Sequence, residues 1–109
     1  HGIDKIKTIN SSLKSAGWHA KNMIWLDIEA ADGCWSSSTS TNLSFVQEVI
    51  DYIHGDWTGC GLSTGCTGSY ANKNEYTPIL GSSTAIKKLQ LWYHHYSSSA
   101  NFSAFGGWT

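Results

Sequence analysis

Met23-Ile-Trp-Leu-Asp-Ile-Glu29 is the stretch on which the architecture turns. It is a short apolar run that ends in two carboxylates two positions apart. Successive side chains on a strand point to opposite faces, so residues i and i+2 share one. Trp25, Asp27 and Glu29 then fall on one face, and Ile24, Leu26 and Ile28 on the other. Both faces are apolar until the carboxyl end. This is the pattern of a buried parallel strand, not of a half-solvated antiparallel one. Parallel α/β folds place their chemistry at the carboxyl ends of such strands.

Outward from this strand, helical and strand signals alternate. Residues 4–15 carry an apolar stripe, Ile6, Ile9 and Leu13, with Lys5, Lys7 and Lys14 off it, and Gly17 is the expected stop. After the strand at 23–29 comes a loop over 30–41. A second helix is expected at 43–54, capped by Thr41 or Asn42, with Val46, Val49, Ile50 and Ile53 buried. A Gly-rich connection over 55–65 leads to a strand at 66–71. A helical turn or short helix at 74–80 follows, limited by Pro78 unless that residue falls in the first turn. A strand at 89–95 and an irregular tail complete the order. Helix-strand alternation of this kind predicts βα units and a parallel sheet. About three strands are too few for a closed barrel of roughly 200 residues or more. The 109 residues are therefore expected to be the middle of a larger α/β domain.

Charged residues make up only 14% and the net charge is −1. Bulk electrostatics therefore gives no attraction to nucleic acid or to an anionic membrane, and neither is expected as a partner. No stretch approaches the length of a membrane span. Six Trp and five Tyr are many for this length, and aromatic faces suit both core packing and the apolar faces of sugars. Low charge, a Ser/Thr/Gly/Asn-rich composition and three Asn-x-Ser acceptor triplets, at Asn10, Asn42 and Asn101, suggest secretion. Cys60 and Cys66 bracket a Gly-rich loop and are expected to close a small disulfide ring, the rival being a bond from Cys34 to one of them. No His stands at ligand spacing from them, so no metal site is expected.

A pair of carboxyl groups is the basic equipment for cleaving a glycosidic bond. Trp25-Leu-Asp-Ile-Glu29 resembles the Asp-x-Glu strand of the glycoside hydrolase family 25 lysozymes, which cut bacterial peptidoglycan. Gly68-Ser-Tyr-Ala-Asn-Lys-Asn-Glu75 resembles that family's next core strand and the turn after it. Leu91-Trp-Tyr-His-His-Tyr96 is similar to its following strand, and Phe105-Gly-Gly-Trp-Thr109 to the segment leading into its last strands. The resemblance runs from about residue 4 to residue 109. It implies an irregular TIM-like (β/α) barrel with parallel strands, of which residues 1–109 would be one part. The family's opening and closing strands, each carrying a further active-site Asp, are not in the sequence. The remainder of the domain, or a partner chain, would supply them.

The resemblance implies Glu29 as the general acid. Asp27 would stabilise positive charge at the sugar, or orient an acetamido group as an internal nucleophile. The substrate would be a peptidoglycan glycan strand, cut between N-acetylmuramic acid and N-acetylglucosamine, and no cofactor is implied. Trp92 is the expected sugar-facing wall, with Tyr70, Asn72 and Trp35 as further substrate contacts. Core packing for Tyr70 and a turn role for Asn72 stand beside those expectations. One of His94 and His95 would bond the substrate or a carboxylate, or serve the structure alone. The expected location is extracellular or lysosomal-phagosomal, with a role in defence against bacteria. The alternative is a lysozyme-derived structural or carbohydrate-binding protein without turnover.

Overall fold

The computed structural model describes residues 2–18, 22–31, 33–57, 59–62, 65–94 and 101–109. Three helices and three strands alternate: α1 Gly2–Ser15, β1 Ile24–Asp27, α2 Thr39–Asp56, β2 Thr67–Ala71, α3 Lys73–Leu80 and β3 Gln90–Tyr93. The strands form one parallel sheet in the order β1-β2-β3, with Ile24 opposite Thr67 and Gly68 opposite Gln90. The fold is α/β with a small parallel sheet. The barrel implied by the resemblance is not formed by the described residues: β1 and β3 each pair only with β2 among them.

The local chemistry explains the boundaries. α1 ends where Gly17 turns to φ 81° and the Trp18 amide reaches back to the Leu13 carbonyl, a left-handed terminus that glycine takes without a steric cost. α2 starts four residues earlier than its hydrophobic stripe predicts. Ser38, not Thr41 or Asn42, is the cap, and its hydroxyl accepts from the Thr41 amide at 3.3 Å. Pro78 lies inside α3, which nevertheless continues to Leu80 before Gly81 closes it. The first strand is shorter than the apolar run. It ends at Asp27, although the Ile28 amide still bonds the Tyr70 carbonyl, so Glu29 lies just past the ladder. The third strand likewise stops at Tyr93, and His95 lies outside the described residues.

The sheet has two unlike faces. Ile24, Leu26, Ile28, Ala71, Leu91 and Tyr93 join two apolar clusters built with the helices. Val46, Val49, Ile50 and Ile53 of α2 are all buried, as the stripe predicts, and α2 serves both clusters. On α1 the stripe is rotated from expectation: Ile3 and Asn10 are buried, whereas Ile9 is 54% exposed. The other face of the sheet carries Trp25, Asp27, Tyr70 and Trp92. It is not covered, and Asp27 and Trp92 are exposed. The expectation that β1 is buried on both faces therefore fails on this side, because no helix packs over it among the described residues.

Two expected glycan acceptors also fail. The Asn10 amide nitrogen donates to the Tyr52 hydroxyl at 3.0 Å and to Asp56, and its carbonyl accepts from the Trp57 indole. The Asn42 amide nitrogen donates to the Ser36 and Ile79 carbonyls at 2.8 and 3.0 Å. Both side chains are buried, so neither nitrogen is open to a sugar in this fold. Asn101 is exposed. Cys60 and Cys66 are disulfide-bonded with a Cα separation of 5.7 Å, as the loop spacing predicts, and Cys34 is an exposed free thiol.

Candidate active site

The open face of the sheet is organised by one absent side chain. Gly68 lies between Trp25 on β1 and Gln90 on β3. A Cβ at Gly68 would stand 2.4 Å from the Trp25 ring. The gap lets Trp25 lie over β2 and meet Trp92, two strands away, edge to face at 5.6 Å between centroids. Trp92 in turn meets Tyr70 edge to face at 5.0 Å, and Tyr70 stacks flat on His94 at 4.3 Å. These four rings form one row across three strands, with edge-to-face and stacked geometries that the ring quadrupole favours. Trp92 is 54% exposed, so the row presents an aromatic surface to solvent. An isolated Gly inside a strand pattern is a signal of close approach, and Thr67-Gly-Ser in this sequence carries it.

The acids lie at the carboxyl end of β1, beside this row. Asp27 and Glu29 both line an open groove of about 300 Å³ with Ala31, Cys34, Trp35 and Phe45. Glu29 also borders a second cavity of about 430 Å³, shared with Asn72, Asn74, Glu75 and His94. Glu29 therefore stands between the two hollows, its side chain 45% exposed.

Its backbone is braced from two sides. The Trp35 indole N–H donates to the Glu29 carbonyl at 2.8 Å, and a Glu75 carboxylate oxygen accepts from the Ala30 amide at 2.5 Å. Asn72 holds Glu75 in turn: its side-chain oxygen accepts from the Glu75 amide at 2.9 Å and caps α3. Asn72-x-x-Glu75 is a capping pattern, so the cap was readable, whereas the reach of Glu75 across to Ala30 was not. The Asn72 amide nitrogen donates to the His94 carbonyl at 3.2 Å and faces His94 Nδ1 at 3.4 Å. On the ring's other side, Nε2 lies 3.9 Å from Glu29 Oε1.

The site residues expected from the sequence thus divide. Asp27, Glu29 and Trp35 come together in one groove. Tyr70 and Trp92 share the open aromatic face. Asn72 lines the second cavity, but its oxygen is committed to a helix cap and its nitrogen to His94. Trp35 is half-buried with its N–H already used, so only its ring borders the groove. Among the described residues no group of three or more His, Cys, Asp or Glu could hold a metal ion.

Comparison with known proteins bears on this arrangement. The whole chain, residues 1–109, matches the family described as Lysozyme-like protein 1. Counting factor 50 of Dictyostelium discoideum is 37% identical over 95% of this chain and 33% of its own length. The Probable GH family 25 lysozyme 3 of that organism is 33% identical over 97% of this chain and 21% of its own length. Its Probable GH family 25 lysozyme 2 is 30% identical over 100% of this chain and 48% of its own length. The chain thus spans half or less of each of these relatives. No solved structure matches it.

Proposed function

Since the chain belongs to the Lysozyme-like protein 1 family, we propose that it carries the acid-bearing strands of a glycosidase. The substrate is peptidoglycan, cut at the β-1,4 bond between N-acetylmuramic acid and N-acetylglucosamine. One observation carries this reading: two carboxylates share a groove at the carboxyl end of a parallel strand, next to a solvent-facing aromatic row. Glu29 donates a proton to the leaving glycosidic oxygen. Asp27, exposed in the same groove, stabilises the cationic sugar or orients the acetamido group that attacks it. Trp92 and Trp25 supply apolar walls against which a sugar ring packs.

The rest of the domain belongs to the same proposal. β1 has an unpaired edge among the described residues, and beside it runs an apolar groove of about 310 Å³ lined by Ile6, Leu13, Trp25 and Phe45. Further strands of a (β/α) barrel would pair with that edge. The Cys60–Cys66 bond supports an oxidising location, extracellular or phagosomal.

The test is Glu29→Gln in the full-length protein. The amide keeps the shape but has no acidic proton, so peptidoglycan cleavage should fall by about 10²–10⁴-fold while glycan binding persists. Unchanged cleavage removes Glu29 from the mechanism. A second reading is a lysozyme-derived protein that binds sugar without turnover, favoured by the solvent-facing aromatic row, which can hold a sugar ring without any acid. Glycan binding without cleavage by the unaltered protein would select it.

A further inference from the structure

We propose that His94 is a positioning residue for Glu29, held by Asn72 in the tautomer whose Nε2 proton faces the Glu29 carboxylate. The proposal rests on the reading of Glu29 as the general acid.

The orientation of Asn72 decides the argument. Its side-chain oxygen accepts from the Glu75 amide at the α3 cap, a bond that only the oxygen can make. The nitrogen must therefore be the atom turned toward His94. One of its two hydrogens goes to the His94 carbonyl at 3.2 Å, and the other faces ring Nδ1 at 3.4 Å. An amide nitrogen donates and does not accept, so Nδ1 must be the bare, accepting nitrogen. In a neutral imidazole the proton then sits on Nε2. Nε2 is the atom 3.9 Å from Glu29 Oε1, and the His94 side chain is only 10% exposed.

The ring has little freedom to turn. It stacks on Tyr70 with an interplanar angle of 9°. The helix cap is thus connected, through one amide and one imidazole, to the carboxyl group of Glu29. At 3.9 Å the last contact is longer than a hydrogen bond, and a small rotation of the half-exposed Glu29 side chain closes it. The titratable groups that face His94 among the described residues are Glu29 beyond β1, Tyr70 on β2 and Glu75 on α3. Such an arrangement aims the carboxyl group through a single N–H on the imidazole ring.

Three measurements on the full-length protein test this. Long-range ¹H–¹⁵N spectra of the histidine rings should show His94 with a bare Nδ1 and a protonated Nε2. The opposite tautomer would overturn the proposal. The second measurement is the pH profile of peptidoglycan cleavage in Asn72→Asp. A carboxylate still caps α3 but gives Nδ1 an acceptor and favours an imidazolium with Nε2–H still facing Glu29. The alkaline limb of the profile should move to lower pH by about one unit. His94→Phe keeps a ring on Tyr70 and removes both nitrogens. It should lower kcat about tenfold with KM held, the signature of lost transition-state positioning. A purely structural role would leave the limb in place in Asn72→Asp, and that result would also overturn the proposal. If the unaltered protein cleaves nothing, the hydrolase reading fails, while the ring spectrum still decides the tautomer.

Discussion

The two faces of the β1-β2-β3 sheet are made from the same strands, one residue out of step, and they behave as different materials. On one face Ile28 and Ala71 are buried in the cluster built with α2 and α3, and Leu26, Leu91 and Tyr93 pack half-buried against it. On the other, Trp25, Asp27, Tyr70 and Trp92 remain open, joined by ring contacts over a glycine. The covered face carries apolar side chains and the unbonded hydroxyls of Thr67 and Ser69, and among the described residues it supplies no acid or base. The open face can hold charge next to apolar surface, because nothing there has been desolvated by helices. Separating stability from reactivity needs only the strand alternation and helices confined to one side.

On that division, the largest losses of stability should come from the covered side. Trp57 is 2% exposed in the cluster that also takes Ile24 and Leu26, and its indole bonds Asn10 of α1. Trp57→Ala should destabilise the fold by about 3–5 kcal/mol, measured by denaturant unfolding. Trp92→Ala on the open face should cost less, about 1–3 kcal/mol, the worth of its two ring contacts. Equal losses would break the comparison.

The covered side should also show itself at high pH. Burial pushes the Tyr76 phenol up to about 12, and its hydroxyl donates to the Ser83 carbonyl at 2.8 Å. An unfolded tyrosine ionises near its ordinary value of about 10. A raised folded value means that the stabilising effect is fully present below pH 10 and is lost as pH rises through 12. The loss should reach about 3 kcal/mol, seen as a falling melting temperature across that window, and Tyr76→Phe should flatten it.

Gly68 tests the open face itself. In Gly68→Val the new Cβ meets the Trp25 ring, and overpacking of this kind costs about 1–3 kcal/mol. Glycan binding should fall more than stability does, because the Trp25–Trp92 contact is broken. Tryptophan fluorescence and binding to insoluble peptidoglycan would check both. Retained binding would separate the aromatic row from sugar recognition.

The smallest effect expected is a gain. The Thr67 and Ser69 hydroxyls are buried on the covered face of β2 and have no hydrogen-bond partner among the described residues. Ser69→Ala should raise stability by about 1 kcal/mol by removing an unsatisfied group. A loss in the same unfolding assay would mean that the hydroxyl has a partner after all.

Much of the fold was legible in the chain. Alternation in 23–29 assigned Trp25 and Asp27 to one side. The α2 stripe named its four buried aliphatics, and the Cys60–Cys66 spacing named the disulfide. These signals are local, since they follow from the strand and helix repeats and from how short a loop a disulfide can close. The misreadings share a different character. Asn10 and Asn42 read as surface acceptors, yet they bond partners 42 to 47 and 37 residues away. Ile9 belongs to the expected apolar stripe yet is exposed, while its neighbour Asn10 is buried and bonded to Trp57 at the end of α2.

The sequence by itself determined the order of elements, the parallel pairing and the two acids at a strand end, because each depends on side chains within a few positions of one another. Only the tertiary structure decided that one face of the sheet stays open, that Trp25 crosses Gly68 to reach Trp92, and that Asn72 joins a helix cap to His94 beside Glu29. Those outcomes depend on contacts between residues tens of positions apart. No periodicity encodes such contacts; they exist once β1, β2 and β3 lie side by side.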